Sequence, residues 1–232
     1  LALNLPPAIP LWIAAIGGII AIAVIKQMFG GIGQNFMNPA LGARVILMLS
    51  WTQHMTNWIN PKMPDAISSA TPLVFVKKGQ EIMEGIAKPE YIDLFLGRTM
   101  GSIGETSVLA LLIGAAYLLC RKVISPAAPL SFIGTAALLS WVFGGDKPFT
   151  GDFLYHILAG GLILGAFFMA TDYSTSPVTD KGRFIMGIGC GAITVIIRLY
   201  ANYPEGVSFA IILMNLLVPL IDKYTIRRTF GG

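Results

Sequence analysis

Charge is scarce in this chain. Only 12% of its 232 residues are Asp, Glu, Lys or Arg, against 55% that are hydrophobic, and the mean hydropathy is +0.72. A soluble domain carries roughly a quarter charged residues, so a water-soluble globule is excluded and an all-α polytopic membrane protein is expected. Cysteine and histidine are scarce too, at two each. Cys120 and Cys190 lie in separate apolar segments with no Cys-x-x-Cys and no histidine partner. They read as buried small hydrophobes, not as iron-sulfur ligands or a disulfide. His54 and His156 have no carboxylate or thiol at ligand spacing, so no zinc or other metal site is expected and both read as interfacial side chains. A Walker-type phosphate loop and a Ser/His/Asp signature are missing. Gly30, Gly31 and Gly33 follow an apolar segment, not a strand, and make no dinucleotide fingerprint. The formal charge of +4 is scattered through short loops, which excludes a nucleic-acid patch. The opening, Leu-Ala-Leu-Asn-Leu-Pro-Pro, has no basic stretch ahead of an apolar run. It reads as no signal peptide and as a piece with further spans upstream.

What is abundant is apolar sequence in runs. A span needs about 20 mostly apolar residues, fewer where it is broken or re-entrant. Seven membrane segments are expected: Ala8–Gln27, Pro39–Trp51, Thr106–Cys120, Pro129–Phe143, Phe153–Ala170, Phe184–Tyr200 and Val207–Ile221. They make residues 1–232 a single membrane domain, with residues 52–105 as one long loop. Short-loop charges orient it. Lys26, Arg121, Lys122, Lys181, Arg183, Lys223, Arg227 and Arg228 fall on one side and only Lys147 on the other. By the positive-inside rule this puts the long loop outside the cytoplasm, with Trp12, Trp51 and Trp141 at the outer interface.

A loop of that size is usually functional. Asp65-Ala-Ile-Ser-Ser-Ala-Thr71-Pro72 is a short polar run among Pro61, Pro64 and Pro72, read as an irregular loop that presents Thr71 in an extended, accessible conformation. Its spacing resembles the signal at which a flavin transferase joins FMN through its phosphate to a threonine hydroxyl. That resemblance makes Thr71 the acceptor and Asp65, Ser68, Ser69 and Ala70 the recognition residues, Ser69 standing where many such signals have glycine. Lys77 and Lys78 follow closely enough to offset a phosphate charge, or form a solvated pair.

Ionisable groups inside spans cost about 2.5–3.5 kcal/mol on insertion scales and therefore face a partner or a cavity. Arg44, in the short Pro39–Trp51 segment, either does so or snorkels to the interface. Glu105 ends a Gly-Ser-Ile-Gly-Glu run with the Ser-x-x-Glu spacing of a capping box, in which Ser102 accepts from the Glu105 amide and Glu105 reaches back. Asp172 caps a turn or binds a cation or a cofactor hydroxyl. Arg44, Glu105 and Asp172 are the ion-pathway candidates, with Arg198, Asn215 and Thr194 as further polar groups. The turn Asn38-Pro39 to Arg44 and the polar loop Ala170 to Arg183, each with a polar residue, Pro and then Arg five or six positions on, are weakly similar to each other.

Taken in order, Leu5-Pro6-Pro7, Gly30-Gly31 to Asn38-Pro39-Ala40, Asp65 to Thr71, Gly101 to Thr106 and Ala170-Thr171-Asp172 to Ser176-Pro177 resemble the RnfD family, a membrane component of the ion-translocating Rnf complex. A more distant resemblance is to the NqrB component of the sodium-pumping NADH:quinone reductase. The likeness spans nearly the whole chain. It implies a urea-channel-like fold of two related halves. It also implies a cell-membrane protein that relays electrons between ferredoxin and NAD through covalent FMN at Thr71, coupled to Na+ or H+ movement. The other Rnf subunits and a flavin transferase are the implied partners, and a second, noncovalent flavin stays open. The alternatives are the quinone reductase component, a non-redox channel or transporter of the same fold, and a structural scaffold.

Overall fold

The computed structural model describes residues 1–60, 63–68, 71–76, 88–145, 147–201 and 205–226, with only the backbone path for 59–60 and 63–68. The chain is mostly helical. Leu11–Ile19 (α1) passes without a break into a wider, π-wound stretch, Ile20–Gln27, and is followed by Pro39–Ser50 (α2) and the short Thr52–Met55 (α3). After the long loop come Tyr91–Leu96 (α4), Val108–Cys120 (α5) and Ala127–Phe143 (α6). An interrupted helix follows, made of Phe153–Leu158 (α7), Leu162–Leu164 (α8) and the π-wound Gly165–Met169. Asp180–Tyr200 (α9) and Gly206–Thr225 (α10) complete the bundle. Each of the seven apolar runs coincides with a helix or, for Phe153–Ala170, with the interrupted one. Among the described residues, α9 and α10 are long and apolar enough to cross a membrane.

Local sequence explains the boundaries. Asn38 accepts from the amides of Ala40 (3.0 Å) and Leu41 (3.3 Å) and Pro39 occupies the first helical position, so α2 starts abruptly. Thr179 caps α9 by accepting from the Gly182 amide. The capping box expected at Ser102 is only half formed. Glu105 Oε1 accepts from the Ser102 amide (2.9 Å), but the Ser102 hydroxyl has no partner and α5 is capped by Ser107, which accepts from Ala110. The polar segment read as a loop is partly extended instead. Met63–Ser68 (β2) pairs antiparallel with Trp58–Asn60 (β1), Trp58 opposite Ser68 and Ile59 opposite Ile67. The helical class thus carries a two-stranded hairpin in its long loop, because Trp58-Ile-Asn and Ala66-Ile alternate well enough to pair once prolines forbid a helix.

The core is apolar and small-residue packed. Helices α6 and α9 make the most extensive contact in the bundle, and Gly187 is the reason they come so close. A Cβ there would stand 1.9 Å from Ser131 Oγ and 2.5 Å from the Ala128 carbonyl oxygen. Small residues at helix interfaces are how apolar bundles gain packing where lipid competes. Gly187→Ala is expected to push α9 off α6 and cost about 1–3 kcal/mol, read as a lower thermal midpoint of the solubilised protein. Gly134→Ala on α6, where a Cβ would meet nothing within 4 Å, should leave that midpoint unchanged or raise it. Outside the core, Leu11, Ile19, Leu130, Ile196, Leu213 and Leu220 are all exposed, an apolar exterior that suits lipid and not water. Trp12 and Trp51 stack edge-on with centroids 5.6 Å apart, which puts the end of α2 beside the start of α1.

Two expectations about single residues are corrected. Cys120 is exposed at the end of α5, while Cys190 is buried as expected. His156 is not interfacial but buried on α7, because the break that follows turns it into the bundle; His54 is exposed.

Candidate functional site

The break after α7 builds the centre of the site. Ala159 leaves the helical path, Gly160 takes φ +70°, and the chain resumes as α8. A helix that stops inside a bundle leaves carbonyls without donors. Here the fully buried Arg198 supplies them, Nη1 donating to the His156 carbonyl (2.5 Å) and Nη2 to the Ala159 carbonyl (3.1 Å). Gly161 carries no side chain where Glu105 Oε2 approaches, since a Cβ there would lie 2.8 Å from that oxygen.

Arg44 meets a partner and does not snorkel. Its Nη2 donates to Glu205 Oε2 in a buried ion pair, and its Nη1 donates to Asn4 Oδ1 (3.2 Å) and Ser208 Oγ (3.3 Å). Glu205, just ahead of α10, was not singled out in the sequence. It sits in a connection between two apolar runs, and only the fold aims it inward. Arg44, Glu105, Arg198 and Glu205 line one small cavity together with Leu73, Gly161, Val207 and Ser208. Four of their polar atoms have no partner among the described residues: Glu105 Oε2, Glu205 Oε1, Arg44 Nε and Arg198 Nε.

Leu73 ties this cavity to the segment that carries Thr71. Pro72–Val76 forms a tight turn opened by the Thr71 carbonyl, which accepts from Val74 (3.0 Å), and Leu73, Val76, Leu94, Tyr155 and Ala159 pack as one cluster. Thr71 is therefore 7% exposed, not accessible as expected, because the apolar Leu73-Val-Phe-Val run docks on the α7 break and carries the threonine with it. Its hydroxyl is buried without a partner among the described residues. Asp65 and Ser68 lie on β2, whose side chains are not described. Ser69, Ala70, Lys77 and Lys78 lie outside the described residues.

A polar clamp closes over the same cluster. Asp152 accepts from Tyr91 Oη (2.6 Å), Lys88 Nζ (3.0 Å) and the Tyr155 amide (3.0 Å), and Lys88 Nζ stands 4.3 Å from the Tyr155 ring centroid. Partial burial pushes the Asp152 carboxyl upward, but the bonds from Tyr91, Tyr155 and Lys88 hold it net below the usual carboxylate value. A carboxyl depressed on folding contributes stability above its unfolded value and loses it as pH falls through the folded one. The clamp should therefore loosen below about pH 4, seen as faster amide exchange over Tyr91–Leu96, and Asp152→Asn should remove that dependence.

Asp172 stays apart from the charged cavity. Its Oδ2 accepts from Ser174 (3.0 Å) and Thr175 (2.9 Å), so it orders its own turn. That turn meets the one before α2. Asn35 donates to Ser174 Oγ (3.3 Å), and Asn215 bridges the Asn38 amide and the Thr175 carbonyl. The two turns that are weakly similar in sequence thus touch. Thr194 is buried on α9 with a free hydroxyl.

Residues 1–231 match the NQR2, RnfD, RnfE family. Over 233 residues the chain is 48% identical to the D-type subunit of the Na(+)-translocating ferredoxin:NAD(+) oxidoreductase complex of Acetobacterium woodii, covering all of this chain and 70% of that protein. It is 46% identical to the D-type subunit of the proton-translocating ferredoxin:NAD(+) oxidoreductase complex of Clostridium ljungdahlii, covering all of this chain and 72% of that one. To the D-type subunit of the ion-translocating oxidoreductase complex of Stutzerimonas stutzeri it is 39% identical, covering all of this chain and 73% of that protein.

Proposed function

The chain belongs to the NQR2, RnfD, RnfE family, and from that premise we propose that it is the D-type membrane subunit of an ion-translocating ferredoxin:NAD(+) oxidoreductase complex. The observation that carries this reading is the unbroken similarity along the whole chain to relatives named as that component. In this reading the seven helical runs are membrane segments of a urea-channel-like, two-half fold in the cell membrane. Residues 52–105 face away from the cytoplasm, and the remaining subunits of the complex are the partners.

Covalent FMN at Thr71 is part of the proposal. What supports it is a threonine hydroxyl at the end of Asp65-x-x-Ser-Ser-Ala-Thr that is buried and has no hydrogen-bond partner among the described residues. A flavin transferase would form that bond between Thr71 Oγ1 and the FMN phosphate. FMN, when bound, supplies reversible electron transfer. The chain holds the acceptor hydroxyl on a turn fixed by Leu73 and Val76, keeps the neighbouring cluster dry, and keeps Lys88 and Tyr91 at its edge. The role in the complex is tested by purifying a tagged chain from membranes. The other subunits should copurify, and deleting its gene should abolish ferredoxin-dependent NAD+ reduction and the accompanying Na+ or H+ uptake. Copurification with a quinone-reducing complex would overturn the assignment.

A further inference from the structure

The charged cavity beneath Leu73 has a composition that a structural ion pair does not need. Arg44 and Arg198 are immobilised by acceptors outside the pairings of interest, Asn4 and Ser208 for one and two main-chain carbonyls for the other. Glu105 and Glu205 are each held by one oxygen only, to the Ser102 amide and to Arg44, and each keeps its other oxygen buried and unbonded. Two orphan acceptors and two orphan N–H donors on residues lining one cavity are the complement of a single water, which donates twice and accepts twice.

Two arginines and two glutamates line the cavity, so their formal charges balance. An added positive charge in so dry a place is costly unless a negative charge arrives nearby. Leu73, which lines the cavity, is two residues from Thr71, the position proposed to receive an electron carrier. A metal ion would need a shell of several oxygens, whereas among the described residues lining the cavity two carboxylate oxygens are unpartnered and two unpartnered guanidinium N–H groups share it with them. A proton needs one lone pair.

We infer that Glu105 and Glu205 form a proton-uptake site, bridged by one internal water and sealed by Leu73, which balances negative charge arriving on the ring system of the flavin linked through Thr71. This rests on the flavin reading above. When an electron from the complex's own oxidoreduction reaches the Thr71-linked group, one proton from the adjoining aqueous phase converts a Glu105 or Glu205 carboxylate to the carboxylic acid. When the electron leaves, the acid returns it. Among the described residues, Arg44 from α2, Arg198 from α9 and Ser208 from α10 line the cavity with the pair, and Asn4 from the first turn holds Arg44 from behind. His156 on α7 is within electrostatic reach of Arg198.

The test is redox-difference infrared spectroscopy of the assembled complex, in H2O and D2O, with flavin reduction followed in the visible. Reduction should raise one protonated-carboxyl C=O band that shifts in D2O. The band should be lost in Glu105→Gln or Glu205→Gln, moved in Glu105→Asp or Glu205→Asp, and absent in Thr71→Val. Leu73→Ala should keep the band but speed its deuterium exchange about tenfold or more, and this variant decides the matter if the glutamine substitutions fail to assemble. A complex that carries no flavin on this chain would sink the cofactor reading. With the flavin present and reducible, the inference is overturned if the band is absent, if it survives in both glutamine variants, if Leu73→Ala leaves its exchange unchanged, or if the carboxylates respond only to added Na+.

Discussion

Thr71→Val is expected to strip covalent flavin from this chain completely while leaving the fold intact. Valine matches threonine in shape and lacks only the hydroxyl, so the phosphoester cannot form. The flavin fluorescence that stays with the denatured wild-type band on a gel, when its transferase is coexpressed, should fall to background. Ordinarily the loss of a buried hydroxyl exposes an unpaired partner and costs about 1–3 kcal/mol. Here the hydroxyl has no partner among the described residues, so the thermal midpoint of the flavin-free protein should stay where it is or rise. The combination is diagnostic. A variant that loses flavin and unfolds would indicate a packing residue, and one that keeps fluorescence would move the attachment elsewhere. Electron flux in membranes should drop with the fluorescence, which separates an electron carrier from a scaffold.

The second large effect is structural. Arg44→Ala leaves Glu205 buried without its cation, and breaking one side of such a pair costs about 3–5 kcal/mol. Arg44→Met combined with Glu205→Met replaces both charges by apolar volume and should recover most of that loss. The measurement is the thermal midpoint of the detergent-solubilised protein for the wild type, Arg44→Ala and the double variant. An Arg44→Ala midpoint equal to wild type would mean that Arg44 reaches the interface instead of Glu205.

The helices were legible because their apolar runs are bounded by prolines, glycines and capping residues that act locally. Asn38-Pro39 stops and starts the chain whatever surrounds it. The interruption in Phe153–Ala170 was less visible, since Gly160 and Gly161 in an apolar run are common in membrane helices and only the partner Arg198 reveals the break. Thr71 misled for a related reason. Its polar neighbours up to Ala70 argue for solvent, while Leu73-Val-Phe-Val after it argues for burial, and the tertiary contact with Tyr155 and Ala159 decides. Arg44 and Glu105 could be named from composition as costly groups. Glu205 could not, because 161 residues separate it from the arginine it pairs with and no spacing rule reaches that far. Asp172 was open between cap and ligand, and its bonds to Ser174 and Thr175 assign it to the turn.

Arg198 is anchored by main-chain carbonyls and not by a carboxylate. Amide oxygens do not titrate in the biological range, so acidification strong enough to dissolve ordinary ion pairs leaves this anchor in place. The kinked segment it clasps therefore keeps its shape where a carboxylate anchor would let go, a fixed post around which the rest of the bundle is built.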